Sequence, residues 1–287
     1  MTYFEKFTSP ASANFMKCIV LGARTCIETC GPVIFIRRVM STVTEEIVTF
    51  ESSQHLAPLI AVVGCDGSGK STVVEHLREW AEAQGPAATV HLGRQAGNVG
   101  RALARLPLIG SWFDRLIHRK VGSVHRSLDK DQTPGVLPAL VISAFTLRVQ
   151  WRFRRMLGLR RRGFMVVADR YPQMAVPGAY GGPDLALGLR GNGFVRWLAE
   201  QEQAAFRRMT YYRPDLVLRL NVDLDTACRR KPDHQRELLR AKIAVTPRLS
   251  YDGAPIIDID ANRPLTEVLS IARQAVAGQL ARHGRES

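Results

Sequence analysis

The chain has 287 residues, with Lys+Arg 40 against Asp+Glu 26 and a formal net charge of +14. Its 46% apolar and 23% charged residues are those of a globular protein with a sizeable core, which excludes a disordered chain, a collagen-like fibre and a disulfide-dense miniprotein. Residues 1–55 hold five basic side chains (Lys6, Lys17, Arg24, Arg37, Arg38) and five acidic ones (Glu5, Glu28, Glu45, Glu46, Glu51), so the whole excess lies in residues 56–287; it points to an anionic partner such as nucleotide phosphates, nucleic acid or an acidic membrane surface.

In chain order, residues 1–55 lack clean periodicity and are expected to be an N-terminal extension, either flexible or the product of a start assigned too early, with Met40 as the alternative start. Glu5 and Lys6 come too early, and the apolar stretch Cys18–Gly22 is too brief, for a secretory signal. The five cysteines (Cys18, Cys26, Cys30, Cys65, Cys228) are scattered and form no CxxC pair, which reads as reduced thiols of a cytoplasmic protein. Cys26 and Cys30 are spaced as a metal half-site on one helical face, without partners to complete it.

From residue 58 the pattern alternates. Leu59–Val63 is a continuous apolar run ending in glycines, as a buried parallel strand requires. Lys70–Ala83 has helical spacing, Ala88–Leu92 reads as a second strand, and Trp112, Phe113, Leu116, Ile117, Val121 and Val124 recur at helical intervals. Leu137–Leu157 is a long helix, apolar early and arginine-rich late. The longest charge-free run, Gln132–Leu147, is interrupted by Pro134 and Pro138 and falls short of the ~18 residues of a spanning helix. Phe164–Ala168 is a third strand, Phe194–Met209 a helix, Leu216–Val222 a fourth strand and 224–245 a basic helical segment. Ile256–Ile259 is a fifth strand, and Leu265–Ala281 closes the chain as a helix. Strands separated by helices imply crossover connections and a three-layer α/β sandwich.

Gly64-Cys65-Asp66-Gly67-Ser68-Gly69-Lys70-Ser71 fits G-x-x-x-x-G-K-[ST] at every fixed position, directly after a strand and before a helix. Glycines let successive backbone N–H groups turn inward onto phosphates. Lys70 is placed to reach the β- and γ-phosphates and the Ser71 hydroxyl to ligate Mg²⁺, while the following helix aims its positive end at the anion. The loop Gly64–Thr72 is therefore expected to hold ATP with Mg²⁺.

At the end of the third strand stands Asp169-Arg170-Tyr171. A carboxylate at a strand tip beside a phosphate loop suits Mg²⁺ or the orientation of an acceptor hydroxyl. Arg170 suits bidentate binding of an acceptor phosphate. The fourth strand leads through Asn221-Val222-Asp223 into a segment with Arg229, Arg230, Lys231, His234, Arg236, Arg240 and Lys242, positive charge that would serve phosphoryl transfer if it closed as a lid.

GCDGSGKST after a strand, DRY after the third strand, and PDLVLRLNVD before an arginine-rich segment together resemble the thymidylate kinase family of nucleoside-monophosphate kinases, over roughly residues 58–280. The resemblance implies a five-stranded parallel sheet ordered 2-3-1-4-5, a kinase domain over 56–287 with a lid at about 225–245, and transfer of the γ-phosphoryl of ATP to a nucleoside monophosphate such as dTMP. It implies that Asp66 approaches the acceptor sugar, that Arg94, Arg148 and Tyr171 join Arg170 around the acceptor, and that Arg229, Arg230 and Arg236 are the lid cations. Where the family carries Arg-Glu-Pro-Gly after its second strand, this chain has His91-Leu92-Gly93-Arg94-Gln95-Ala96-Gly97, and Pro172-Gln173 follows DRY where the family has a serine. Both departures fall on the acceptor side, which keeps a nucleoside or a sugar-type molecule open as acceptor.

Seven arginines crowd residues 148–162, among Trp151 and Phe153. Three readings stand: Arg148 and Arg152, one turn apart, facing the acceptor; Arg160–Arg162 as a solvated turn; or contact with nucleic acid or an anionic membrane. A nucleotide-gated binding protein is the rival to the kinase, and the less favoured one, because Asp169-Arg170-Tyr171 supplies no water-positioning glutamate or glutamine. A homodimer is left open.

Overall fold

The computed structural model describes residues 56–93, 135–178, 181–185 and 192–286. The expectations for residues 1–55, for the helical spacing at 112–124 and for Arg94 lie outside the described residues. Five strands form one parallel sheet in the order β2-β3-β1-β4-β5, made of β1 (Leu59–Gly64), β2 (Ala87–His91), β3 (Met165–Asp169), β4 (Leu216–Asn221) and β5 (Ile256–Asp260). Around it run α1 (Lys70–Glu82), α2 (Val136–Arg161), α3 (Gly193–Tyr211), α4 (Leu224–Arg230), α5 (Arg236–Val245) and α6 (Leu265–Glu286). This is the three-layer arrangement expected, and the strand order agrees.

Strand β1 is central because every residue of Leu59–Gly64 is buried, and only a strand covered on both faces uses an uninterrupted apolar run. Its side chains alternate between two cores. Ile60 and Val62 face Val73, Val74, Leu77 and Ala81 of α1 and Val268, Ala272 and Val276 of α6. Leu59, Ala61 and Val63 face Val149, Phe153, Met156 and Leu157 of α2 and Phe206 and Met209 of α3. Asp215 locks the lower rim: its Oδ2 accepts the Leu59 amide at 2.6 Å and an Arg160 Nη2 proton at 3.1 Å.

Two boundaries differ from expectation for identifiable reasons. The basic segment 224–245 is two helices, α4 and α5, separated by Lys231–Gln235; Pro232 cannot donate to a helical ladder and restricts the residue before it. Arg160 is not part of a solvated turn: it is 5% exposed, and its Nε donates to Ala57 O at 2.6 Å. No helix among the described residues is long and apolar enough to cross a membrane.

In parallel α/β sheets the carboxyl ends of the strands form the ligand crevice. Here the chain puts the phosphate loop after β1, Asp169 at the tip of β3, His91 at the tip of β2, and α4 just beyond β4.

Candidate phosphate-loop and acceptor site

The loop's tightness comes from its glycines. Gly64 has φ 149°, and a Cβ there would sit 2.6 Å from the Leu220 carbonyl; Gly67 has φ 87°, with a Cβ 2.9 Å from the Ala227 carbonyl. Any side chain would wedge the loop off β4 or α4. Helix α1 starts at Lys70 with Gly69 as N-cap and no side-chain cap, so its first amides remain for an anion. Cys65 and Ser68 are buried under the turn, Asp66, Gly67 and Gly69 are half-buried, and the Ser71 and Thr72 side chains are exposed at the helix start. Burial pushes the Cys65 thiol up from its ordinary pKa.

Lys70 is buried and donates from Nζ to Cys65 O at 2.6 Å. Desolvation, reinforced by the Arg170 charge and opposed by Asp66 and Asp169, brings its pKa down to about 8. A cation so placed is electrostatically costly until an anion arrives.

Asp66 and the β3 tip are joined to one another. Arg170 Nη2 donates to Asp66 Oδ1 at 2.7 Å, and Lys242 Nζ donates to Asp66 Oδ2. His234 Nε2 stands 4.0 Å from the same oxygen. Burial alone would raise the Asp66 carboxyl, but Lys242 and Arg170 outweigh it and hold it well below the usual carboxylate range. Arg170 is a non-glycine residue with φ 68°, a left-handed conformation held by its amide's bond to Val62 O at 3.0 Å. That turn directs its guanidinium back onto the loop.

Asp169 pairs in register with His91 of β2 and Val62 of β1. Its Oδ2 lies 2.7 Å from His91 Nδ1, while Oδ1 is buried with no hydrogen-bond partner. Burial raises the Asp169 carboxyl; His91, Arg170 and Lys70 together outweigh it and lower it. The β2 tip is braced from α2, where Arg152 Nη1 donates to Gly93 O at 3.1 Å and to His91 O at 3.3 Å. Arg152 is pushed down to about 10, chiefly by burial and also by the Arg148 charge. Arg148 is half-buried one turn away.

The expected residues do not all converge. Lys70, Asp66, Asp169 and Arg170 form one connected cluster. Of the three arginines expected in the lid, Arg230 alone meets the loop, with Nη1 3.3 Å from Gly67 O and 3.0 Å from Ala261 O. Arg229 turns to Thr226 Oγ1 at 2.8 Å, and Arg236 to Asp225 at 2.7 Å on the exposed side. The expectation for Tyr171 is corrected. Its ring is 2% exposed among Phe153 and Tyr251, and its hydroxyl donates to Tyr212 O, inside the α2–α3 core; burial raises its pKa far above the ordinary phenol. His91 has no expected role in the site, Lys242 is expected only as one of the seven basic residues of the lid segment, and Arg152 only in one of three readings of the arginine cluster. Helix phase singles Lys242 out: it lies three residues after the buried Leu239, one turn along the same helix.

A glycine-built loop between the central strand and a helix N-terminus, in a parallel sheet ordered 2-3-1-4-5, defines a phosphate-loop α/β protein of the kinase-like type. No protein-family model matches the chain. It is 41% identical over 224 residues to the "Uncharacterized ATP-binding protein YghS" of Escherichia coli (strain K12), covering 77% of this chain and 93% of that protein. Against the "Uncharacterized ATP-binding protein YghR" of the same organism it is 35% identical over 239 residues, covering 83% and 94%. It is 28% identical over 198 residues to a thymidylate kinase of Parasynechococcus marenigrum (strain WH8102), covering 68% and 81%. The chain belongs to the family of the ATP-binding proteins YghS and YghR.

Proposed function

We propose that this protein is an ATP-dependent phosphotransferase that moves the γ-phosphoryl of ATP to a small acceptor. A nucleoside monophosphate of the dTMP kind is the first candidate, and a nucleoside or sugar-type hydroxyl the alternative. The names of its relatives support the nucleotide and the class of reaction. One observation carries the reading: Arg170, beside the carboxylate at the β3 tip, is hydrogen-bonded at 2.7 Å to Asp66 inside the phosphate loop. Donor-binding and acceptor-side groups are thereby in direct contact.

The loop amides and Lys70 hold the phosphates, and the buried ammonium gains the anion its surroundings otherwise deny it. The partnerless Asp169 Oδ1 and the exposed Ser71 hydroxyl are hard oxygen donors that fit Mg²⁺, which takes one or two protein oxygens together with phosphates and water. When bound, the ion would neutralise developing phosphate charge. Arg170 and Arg230 add fixed positive charge on either side of the loop, and His91 and Arg152 keep Asp169 and the β2 tip from shifting. The acceptor oxygen attacks the γ-phosphorus in line as the β,γ-bridging oxygen leaves with ADP, so the protein's contribution is position and charge rather than covalent chemistry.

Arg170→Ala tests the assignment. Losing one charge-assisted contact of about 1.5–3 kcal/mol should raise the acceptor KM roughly tenfold or more, with a smaller change in ATP affinity measured by calorimetry. A loss confined to ATP affinity would remove Arg170 from the acceptor side.

A further inference from the structure

Both oxygens of Asp66 already hold a cation. Arg170 takes Oδ1, Lys242 takes Oδ2, and His234 stands beside the latter. Each oxygen keeps a second lone pair, but Oδ2 is flanked by the Lys242 ammonium and the His234 ring on a side chain only 16% exposed, so an acceptor hydroxyl gains a clear approach to it once Lys242 withdraws. The cation on Oδ2 comes from a helix that is itself anchored. Leu239 of α5 is fully buried in the α1–α6 core and Val245 is buried in the opposite one, while Thr246 Oγ1 bonds the Lys242 carbonyl at 3.0 Å. Between these anchors the Lys242 side chain is 34% exposed, a compact charge on a flexible four-carbon stem. Its ammonium can therefore change partner while α5 stays in place. A terminal phosphate carries more charge than one carboxylate and offers several oxygens, so it competes well for an ammonium.

Resting on the phosphotransferase reading, we infer that Lys242 is a phosphate-binding residue: it sits on Asp66 until nucleotide binds, moves to the terminal phosphates, and so releases Asp66 Oδ2 to receive a hydroxyl of the acceptor. Nucleotide binding thereby prepares the acceptor site. The role expected of Arg229 and Arg236 falls to a lysine that needs no closing movement of its helix.

The test is calorimetric binding of a non-hydrolysable ATP analogue with Mg²⁺ to the full chain, in the wild type and in Lys242→Met, Lys242→Arg, Asp66→Asn and the Lys242→Met/Asp66→Asn pair. Lys242→Met should weaken binding about tenfold, the scale of one charge-assisted hydrogen bond, and Lys242→Arg should keep most of the affinity. The loss must persist at about tenfold in the Asp66→Asn background, where Lys242 has no carboxylate to serve. A Lys242→Met effect that vanishes in that background means the lysine acts only through Asp66, and the inference fails. So does wild-type affinity in Lys242→Met. Thermal unfolding of each variant without nucleotide separates a binding loss from a folding loss, and Lys242→Arg supplies a second readout should Lys242→Met unfold. A wild-type chain that binds no analogue would overturn the nucleotide reading and this inference together, whereas binding indifferent to Lys242 overturns the inference alone.

Discussion

Replacing Lys70 by methionine should make the nucleotide-free protein more stable while destroying its nucleotide site. Lys70 is 7% exposed, and its pKa stands at about 8 against an unfolded 10.5. Below about pH 8 it is charged in both states, and folding bears the full cost of burying it. Between about 8 and 10.5 the folded protein sheds the proton first and the cost fades; above that range it is gone. One pKa unit corresponds to about 1.4 kcal/mol, so the cost is about 3 kcal/mol at pH 7 and about 1 kcal/mol at pH 9.5. Methionine also forgoes the hydrogen bond to Cys65 O, worth about 1 kcal/mol. The expected net gain at pH 7 is therefore about 2 kcal/mol, or roughly 4–8 °C in Tm for a domain of this size. Urea unfolding of both proteins at pH 7 and pH 9.5, without nucleotide, measures it. The gap should narrow as pH rises. A Lys70→Met protein no more stable than wild type at pH 7, or a gap that widens toward pH 9.5, would show that the loop lysine bears no such cost.

Two other substitutions probe the frame of the site. Gly67→Ala forces a side chain into a φ of 87° and to within 2.9 Å of the Ala227 carbonyl; with about 1–2 kcal/mol of strain it should lower nucleotide affinity roughly 5- to 30-fold, read by titration with a fluorescent ATP analogue. Asp215→Ala strands the buried Arg160 guanidinium and the Leu59 amide, which share Asp215 Oδ2. It should cost about 2–4 kcal/mol in urea unfolding, with Asp215→Asn recovering part of it.

Much of this architecture could be read from residues alone, because its signals are local. The apolar run Leu59–Val63 and the glycine-lysine loop after it each specify their own geometry, and the observed β1 and start of α1 follow them to within a residue. What was missed depends on tertiary direction. Tyr171 follows Asp169-Arg170 in sequence, yet the left-handed turn at Arg170 sends the tyrosine ring into the α2–α3 core and the arginine to the loop. No composition or spacing announces a left-handed arginine. Within the basic segment, charge marked many candidates equally. The phase of α5, fixed by burial of Leu239 and Val245, decides that Lys242 and not Arg236 meets Asp66. His91 gained its place through parallel register with Asp169, a relation between strands that are far apart in the chain.

On the proposed reading, the phosphate loop and the β3 tip together pass a phosphoryl group to an acceptor. The most direct test is ATP consumption by the purified full chain, with Mg²⁺, across nucleoside monophosphates, nucleosides and sugars, starting with dTMP. One acceptor should stimulate ADP formation and be recovered phosphorylated, and Lys70→Ala should abolish the turnover while the protein remains folded. Acceptor-dependent turnover that survives Lys70→Ala, or ATP hydrolysis that no acceptor in the set stimulates, would contradict that reading.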